Sequence, residues 1–156
     1  MGEAALVSNT RSEPVVRVQG FCKHYRKQIA VQGVDLVIQR GEIYGLIGPD
    51  AAGKSSLMKA IAGVLSYEGG EVDVFGVGVD SEAAAEQVKG RIGFMPQGLG
   101  LNLYAELSVE ENIDFFAQLR EVPPGLLAER KRKLLAMTRL DAFRDRPMKN
   151  LSGGMK

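Results

Sequence analysis

The chain has 156 residues, of which 45% are hydrophobic and 25% charged, with a formal net charge of +1 and no tryptophan. This length allows one ordinary domain with its own core. The near-neutral charge argues against a protein that mainly grips nucleic acid, so no direct DNA binding is expected. The single Cys22 excludes an internal disulfide and fits a reducing compartment. The longest apolar stretches, residues 43–47 and 57–65, are too short to span a bilayer.

The N-terminal part of the sequence predicts a frayed tail followed by strands. Residues 1–14 have no apolar core behind a basic start, so they are predicted to be a disordered tail rather than a signal peptide. Short β-branched runs predict strands at residues 15–18, ended by Gly20, and at residues 34–38. After a turn at Arg40-Gly41, residues 42–47 predict a third strand that is apolar on both faces.

A loop, residues 48–53, separates this third strand from a predicted helix. From Lys54 onward, apolar residues recur at helical spacing and predict a largely buried helix; they are Leu57, Met58, Ile61, Val64 and Leu65. After a break at Gly69-Gly70, the alternation in residues 71–74 predicts a half-exposed strand. A short polar helix is predicted at residues 81–89 and another strand at residues 92–95.

The remainder of the sequence is predicted to be helical. Ser108 and Glu111 form a capping-box pattern in front of a helix with one apolar face. Pro123-Pro124-Gly125 separates it from a second helix at residues 126–140. The charged run at residues 129–133 is interpreted as a solvated helix face rather than a nucleic-acid patch.

The loop after the third predicted strand matches the phosphate-binding pattern G-x-x-x-x-G-K-[ST] at every fixed position. Successive backbone N–H groups at a helix N-terminus, together with the helix dipole, suit a polyphosphate. In this pattern the lysine reaches the β- and γ-phosphates and the serine hydroxyl coordinates Mg²⁺. The predicted ATP-binding residues are Gly48, Pro49, Asp50, Ala51, Ala52, Gly53, Lys54, Ser55 and Ser56, with Ser55 also a Mg²⁺ ligand.

Three further motifs stand around this loop in a fixed order. Leu151-Ser152-Gly153-Gly154 lies two residues before the end of the sequence, Gln97 follows the strand predicted at residues 92–95, and Tyr25 precedes the loop. Alone, these motifs also fit a linker, a surface glutamine and a core aromatic. Together with the phosphate loop, the order resembles that of the ATPase cassettes of ABC transporters, from about Val15 to the last residue.

The resemblance implies a role for each of these motifs. Tyr25 would stack on adenine, and Gln97, the one residue with a catalytic assignment, would contact Mg²⁺ and the hydrolytic water. Leu151, Ser152, Gly153 and Gly154 would form the signature that holds the γ-phosphate of ATP bound to a second cassette. The implied fold is an α/β P-loop NTPase with an antiparallel β subdomain and P-loop core (residues 15–97) and a helical subdomain (residues 98–156).

The implied function is ATP binding and, in the complete protein, ATP hydrolysis between two cassettes to drive an exporter. The implied partners are a second cassette and a membrane-spanning exporter domain, which residues 98–107 would face. The implied location is peripheral, on the cytoplasmic face of the membrane. Several stretches, including residues 95–100 and 111–116, look most like the first cassette of ribosome-associated ATPases. A ribosomal role is therefore an alternative, as are a small-molecule kinase and an inactive remnant.

The sequence also departs from the family pattern. Ala51 replaces a usual glycine, which costs about 1–2 kcal/mol if the position has positive φ, and Met155 replaces the usual glutamine of the signature. No run of four apolar residues followed by Asp-Glu occurs, and the only histidine, His24, precedes the loop. The expectation is therefore a cassette that stops after its signature, lacks the general base and is inactive alone.

Overall fold

The computed structural model describes residues 13–26, 28–98 and 102–156. The tail predicted at residues 1–14 lies outside the described residues except for Glu13 and Pro14. The chain forms two compact units, the first extending to Phe94 and the second from Met95 to Lys156.

An antiparallel sheet in the order β2-β1-β3-β4 forms the frame of the first unit. Alternating apolar residues place valines such as Val18, Val72 and Val74 on its buried face, where Phe21 is also fully buried. Helices α1 and α2 contribute Leu57, Ala60, Ala85 and Val88 to the same core. The elements are β1 (Val16–Tyr25), β2 (Gln28–Ile38), α1 (Lys54–Ile61), β3 (Gly69–Val74), β4 (Val77–Gly78) and α2 (Glu82–Lys89).

Two boundaries in this unit differ from the prediction. Strand β1 does not end at Gly20, because the register with β2 shifts between Val18 and Phe21 and the strand continues to Tyr25. Helix α1 ends at Ile61, so Val64 lies beyond it and is exposed, as is Met58. The prediction of a largely buried helix was therefore wrong for two of the five residues of its apolar stripe.

The strands predicted at residues 42–47 and 92–95 are not formed in the described part of the chain. Ile43 and Ile47 are almost fully exposed, and Met95 is 89% exposed. Both stretches have strand-forming residues, but neither pairs with another described segment. A strand forms only when two segments pair, so composition alone was insufficient to predict a strand at either stretch.

The second unit is helical, and its elements agree better with the sequence. Helix α3 (Val109–Leu119) starts with the predicted capping box, in which the Ser108 hydroxyl accepts from the Glu111 N–H and the Glu111 carboxylate accepts from the Ser108 N–H. Helix α4 (Pro124–Thr138) begins earlier than predicted, because Pro124 fits the first turn of a helix. Three short 3₁₀ turns follow, at Asp141–Phe143, Met148–Asn150 and Gly153–Met155.

Helices α3 and α4 are joined by charges and by a small apolar core. The charged run of α4 is exposed as predicted except at Lys131, whose ammonium lies 2.8 Å from both Glu110 Oε1 and Asp114 Oδ1. These two carboxylates raise the pKa of Lys131 above its ordinary value. The core of the unit is formed by Val109, Leu135, Met148 and Leu151.

The segment before α3 contacts the segment that follows α4. Ser108 forms an isolated antiparallel bridge with Pro147. The Met148 N–H donates to Leu107 O at 2.9 Å, and the Lys149 N–H donates to Ala105 O at 2.9 Å. The buried Asn112 amide donates to the carbonyls of Tyr104, Leu107 and Ser108, so residues 104–108 are fixed from within the unit.

Candidate nucleotide-binding site

The phosphate loop is an exposed segment that leads directly into α1. Residues 48–52 are exposed, and Gly53 is the residue before the helix, with φ 84°. A Cβ at Gly53 would lie 2.1 Å from Val31 Cγ2 and 2.9 Å from Ala30 O. Both the positive φ and the close approach of β2 therefore require glycine at this position. The sheet thus fixes the place where the loop meets the helix.

Lys54 folds back over this loop. Its ammonium donates to Gly48 O at 2.7 Å and to Pro49 O at 2.6 Å. The first turn of α1 contains no acidic residue, so no carboxylate opposes this charge there. A cation above exposed backbone at a helix N-terminus creates a local positive field suited to an anion with several charges.

Ala51 adopts the positive-φ conformation that is strained for a residue with a Cβ. Its φ is 60°, in the left-handed region, although it carries a Cβ. The loop therefore carries a strain of about 1–2 kcal/mol relative to glycine. A glycine would remove this strain.

Tyr25 lies beside the first turn of α1, although it is 31 residues from that turn in sequence. It is the last residue of β1 and is 47% exposed. Its hydroxyl is 3.1 Å from the hydroxyl of Ser56, which is buried. The structure therefore places Tyr25 beside α1, the helix that follows the phosphate loop.

An ion pair next to Tyr25 was missed by the sequence reasoning. Lys23 is only 5% exposed, and its ammonium lies 2.8 Å from Glu68 Oε1. The other carboxylate oxygen of Glu68 accepts from the His24 N–H at 2.7 Å. The hydrogen bond from Lys23, followed by that from His24, lowers the pKa of Glu68. A signal was present, since Lys23 and Phe21 are two residues apart on one strand and a charge among buried positions needs a partner.

The remaining predicted site residues belong to the second unit. Gln97 lies in a bend and is exposed; of the predicted membrane-facing residues 98–107, residues 99–101 lie outside the described residues. Leu151 is buried against Met148 and Val109, whereas Ser152, Gly153 and Gly154 are exposed. The leucine thus anchors the motif, and the polar residues remain accessible.

No group of three or more His, Cys, Asp or Glu side chains that could hold a metal occurs among the described residues. Ser55 is exposed in the first turn of α1 and offers one hydroxyl oxygen. Mg²⁺ prefers to keep several waters and is often held through a nucleotide's phosphates with few protein ligands. The donor set therefore fits Mg²⁺ that arrives with a polyphosphate.

Solved structures resemble this fold closely. The cbiO1 protein of Clostridium perfringens, part of the ABC transporter complex cbiONQ, has a TM-score of 0.77 at 22% identity over 92% of this chain and 61% of its own. A dimeric ATP-binding cassette bound to ADP and Pi has a TM-score of 0.76 at 24% identity, over 90% of this chain and 64% of its own. The predicted P-loop ATPase fold, with its antiparallel sheet and helical part, is thereby confirmed.

Curated relatives cover most of this chain, but the chain spans less than half of their length. The Nod factor export ATP-binding protein I of Ralstonia nicotianae is 31% identical over 93% of this chain and 44% of its own length. The probable multidrug ABC transporter ATP-binding protein YbhF of Escherichia coli is 36% identical, over 93% and 25%. The sn-glycerol-3-phosphate import ATP-binding protein UgpC of Vibrio vulnificus is 35% identical, over 89% and 36%.

Among the described residues, no helix has the length and apolar character needed to cross a membrane. The ABC transporter family model matches residues 31–156, which is most of the chain and includes the phosphate loop and the signature residues. The chain therefore belongs to the ABC transporter family, within its ATP-binding proteins.

Proposed function

We propose that the first unit binds ATP, with the triphosphate in the loop at residues 48–55 and the adenine against Tyr25. The observation that carries the proposal is the 3.1 Å contact between the Tyr25 and Ser56 hydroxyls. It places an exposed aromatic ring next to the helix whose N-terminus ends the phosphate loop. A nucleotide needs both features, because its base offers a flat π surface and its other end carries the charge.

The phosphate end of the ligand would be held by backbone N–H groups of the loop, by Lys54 and by the N-terminus of α1. Ser55 would hold Mg²⁺ bound to the phosphates; for Gln97, the family motif alone supports a contact with Mg²⁺. When bound, Mg²⁺ neutralises charge on the β- and γ-phosphates. The strain at Ala51 would weaken binding relative to a glycine at this position without abolishing it.

In the whole protein, the proposed role is the ATPase part of an exporter that works as a pair of cassettes. Ser152, Gly153 and Gly154 would contact ATP held by the opposite cassette, and their exposure above the buried Leu151 supports this role. Two of the relatives described above are named for export or multidrug transport, and one is named for import. Residues 98–107 would face the membrane-spanning partner on the cytoplasmic side.

The 156-residue chain alone is proposed to bind ATP without steady turnover. Its sequence has no apolar run followed by Asp-Glu, and its only histidine precedes the loop. Both the general base and the histidine that assists the γ-phosphate would thus come from elsewhere in a complete protein. Steady release of phosphate from MgATP by the purified chain would contradict this part of the proposal.

The binding proposal is tested by thermal unfolding of the chain with and without MgATP. At a ligand concentration of 100 times Kd, binding stabilises the folded state by about 2.7 kcal/mol and raises the Tm. Lys54→Ala should lose most of this shift. Lys59→Ala, which removes a similar charge from the exposed side of the same helix, is the matched control and should keep it. Equal shifts for the two variants, or no shift in the unmodified chain, would overturn the proposal.

The export direction needs a test in cells. Deletion of the gene should lower resistance to one or more toxic compounds, and a plasmid copy with Lys54→Ala should not restore it. Loss of growth on a single limiting nutrient, with unchanged resistance, would instead indicate import.

A further inference from the structure

Lys23 is a buried charge next to the residue proposed to contact the base. It lies on β1 two residues before Tyr25, is 5% exposed, and pairs with Glu68 at 2.8 Å across 45 residues of sequence. Burial of an ammonium costs free energy unless a partner and good geometry compensate for it. A salt bridge that only tied two segments together could lie at the surface at no such cost.

Glu68 forms hydrogen bonds with the three residues that precede Tyr25. One carboxylate oxygen accepts from the Lys23 ammonium, and the other accepts from the His24 N–H at 2.7 Å. The Glu68 N–H in turn donates to Cys22 O at 3.1 Å. The end of β1 is therefore held at three consecutive residues, 22 to 24, by this one glutamate.

The ring of Tyr25 is in turn held at two places. The Lys23 ammonium lies over the ring, 5.2 Å from its centroid, and the ring hydroxyl meets Ser56. A cation at this distance attracts the π face of an aromatic ring. Nearly half of the Tyr25 surface remains exposed, and this surface is what a base can reach.

We propose that Lys23 and Glu68 are positioning residues that hold the Tyr25 ring ready for a nucleobase, so that they determine affinity for nucleotides but not for bare polyphosphate. This inference rests on the proposed function, because it requires a base at Tyr25. Preorganisation of a ring raises affinity, since the ligand does not have to order the ring when it binds. A purely structural ion pair would instead affect both ligands equally, through folding of the whole unit.

The test compares MgATP with magnesium tripolyphosphate by isothermal titration calorimetry on the full chain. Tyr25→Leu should reduce ATP affinity by about 5–150-fold, the range expected for one stacked base, and leave the affinity for tripolyphosphate unchanged. Lys23→Met and Glu68→Gln should each reduce ATP affinity roughly 3–10-fold, a part of that loss, also without an effect on tripolyphosphate. Lys23→Arg keeps the charge and should restore most of the ATP affinity.

Controls separate failure of this inference from failure of the proposed function. Glu71→Gln, on the exposed side of β3, should change the affinity for neither ligand. Lys54→Ala should lower the affinity for both. If the unmodified chain binds neither ligand, the proposed function fails. If it binds both but Lys23→Met keeps its ATP-to-tripolyphosphate affinity ratio, or loses both ligands equally, only the positioning role fails. If Glu68→Gln does not fold, Lys23→Met is the decisive variant. Lys23→Met removes the buried charge itself, and the Glu68 carboxylate that it leaves unpaired has a side chain that is 43% exposed.

Discussion

Strand β3 and residues 42–47 lie in the same unit and differ in how their backbone groups are paired. In β3, Val72 and Val74 pair with Val18 and Val16 of β1 and are 1% exposed. In residues 42–47, Ile43 and Ile47 are almost fully exposed. The residue types are similar, so the difference shows that burial of a strand depends on its neighbours as much as on its own side chains.

The largest expected difference between these segments is in amide hydrogen exchange. The amides of residues 43–47 donate to no other described backbone group, whereas those of β3 belong to a ladder. We expect residues 43–47 to exchange with an opening free energy near zero, and β3 near that of global unfolding, roughly 5 kcal/mol or more. Exchange measured by mass spectrometry or NMR tests this. Equal protection of the two segments would mean that residues 42–47 are paired in solution.

Truncation of one large side chain in β1, the strand that pairs with β3, and of one in residues 42–47 should give the next largest contrast. Phe21 is fully buried with its ring centroid 5.5 Å from that of Tyr67, so Phe21→Ala should cost about 3–5 kcal/mol of unfolding free energy. Ile43→Ala should stay within about 0.5 kcal/mol, because Ile43 contacts mainly solvent. Urea unfolding of both variants measures the two values. A cost above about 1 kcal/mol for Ile43→Ala would break the comparison.

A pair of glycines allows the same contrast at the level of the backbone. Gly70 has φ 86°, and an added Cβ would lie 2.4 Å from the carbonyl oxygens of Gln19 and Gly20. We expect Gly70→Ala to destabilise the fold by more than about 2 kcal/mol, the sum of left-handed strain and a backbone clash. Gly45 lies in the unpaired segment with nothing within 4 Å of an added Cβ, so Gly45→Ala should change stability by less than about 0.5 kcal/mol. Similar denaturation midpoints for the two variants would contradict the described register.

The smallest expected effect is the pH dependence of the stability that Glu68, the residue before β3, contributes through its contacts with β1. The pKa of Glu68 is lowered from its ordinary 4.5, mainly by the hydrogen bond from Lys23. Its stabilising contribution is therefore complete above about pH 4.5 and is lost as the pH falls through the lowered value. The Tm difference between the unmodified chain and Glu68→Gln should be present at neutral pH and vanish in acid. A difference that persists at low pH would assign the effect to packing rather than to charge.

Local patterns were predicted well from the sequence, and long-range contacts were not. The capping box of Ser108 and Glu111 and the helix after Ser81 depend on residues within one turn, so their sequence signals were sufficient. The continuation of β1 beyond Gly20 depends on pairing with β2 and β3, and the inward role of Lys131 depends on α3. Neither is encoded within a short window.

The candidate site shows the same division. The loop from Gly48 to Ser55 could be found because its sequence pattern is local, whereas the positive φ at Ala51 was only a condition of the sequence argument and is given by the structure. The pairing of Lys23 with Glu68 spans 45 residues, so the sequence offered only one charge among buried positions as a hint. The roles of Gln97 and of Ser152 remain predictions.

The bridge between Ser108 and Pro147 has a consequence for how this family member can change over evolutionary time. Because the two ends of the α3–α4 hairpin meet, the hairpin is a closed module, and its distal turn at Glu121-Val122 can gain or lose residues without moving either end. Lineages can thus vary the distal turn of this hairpin while Val109 and Leu135 keep Leu151, and with it the exposed residues that follow, in place.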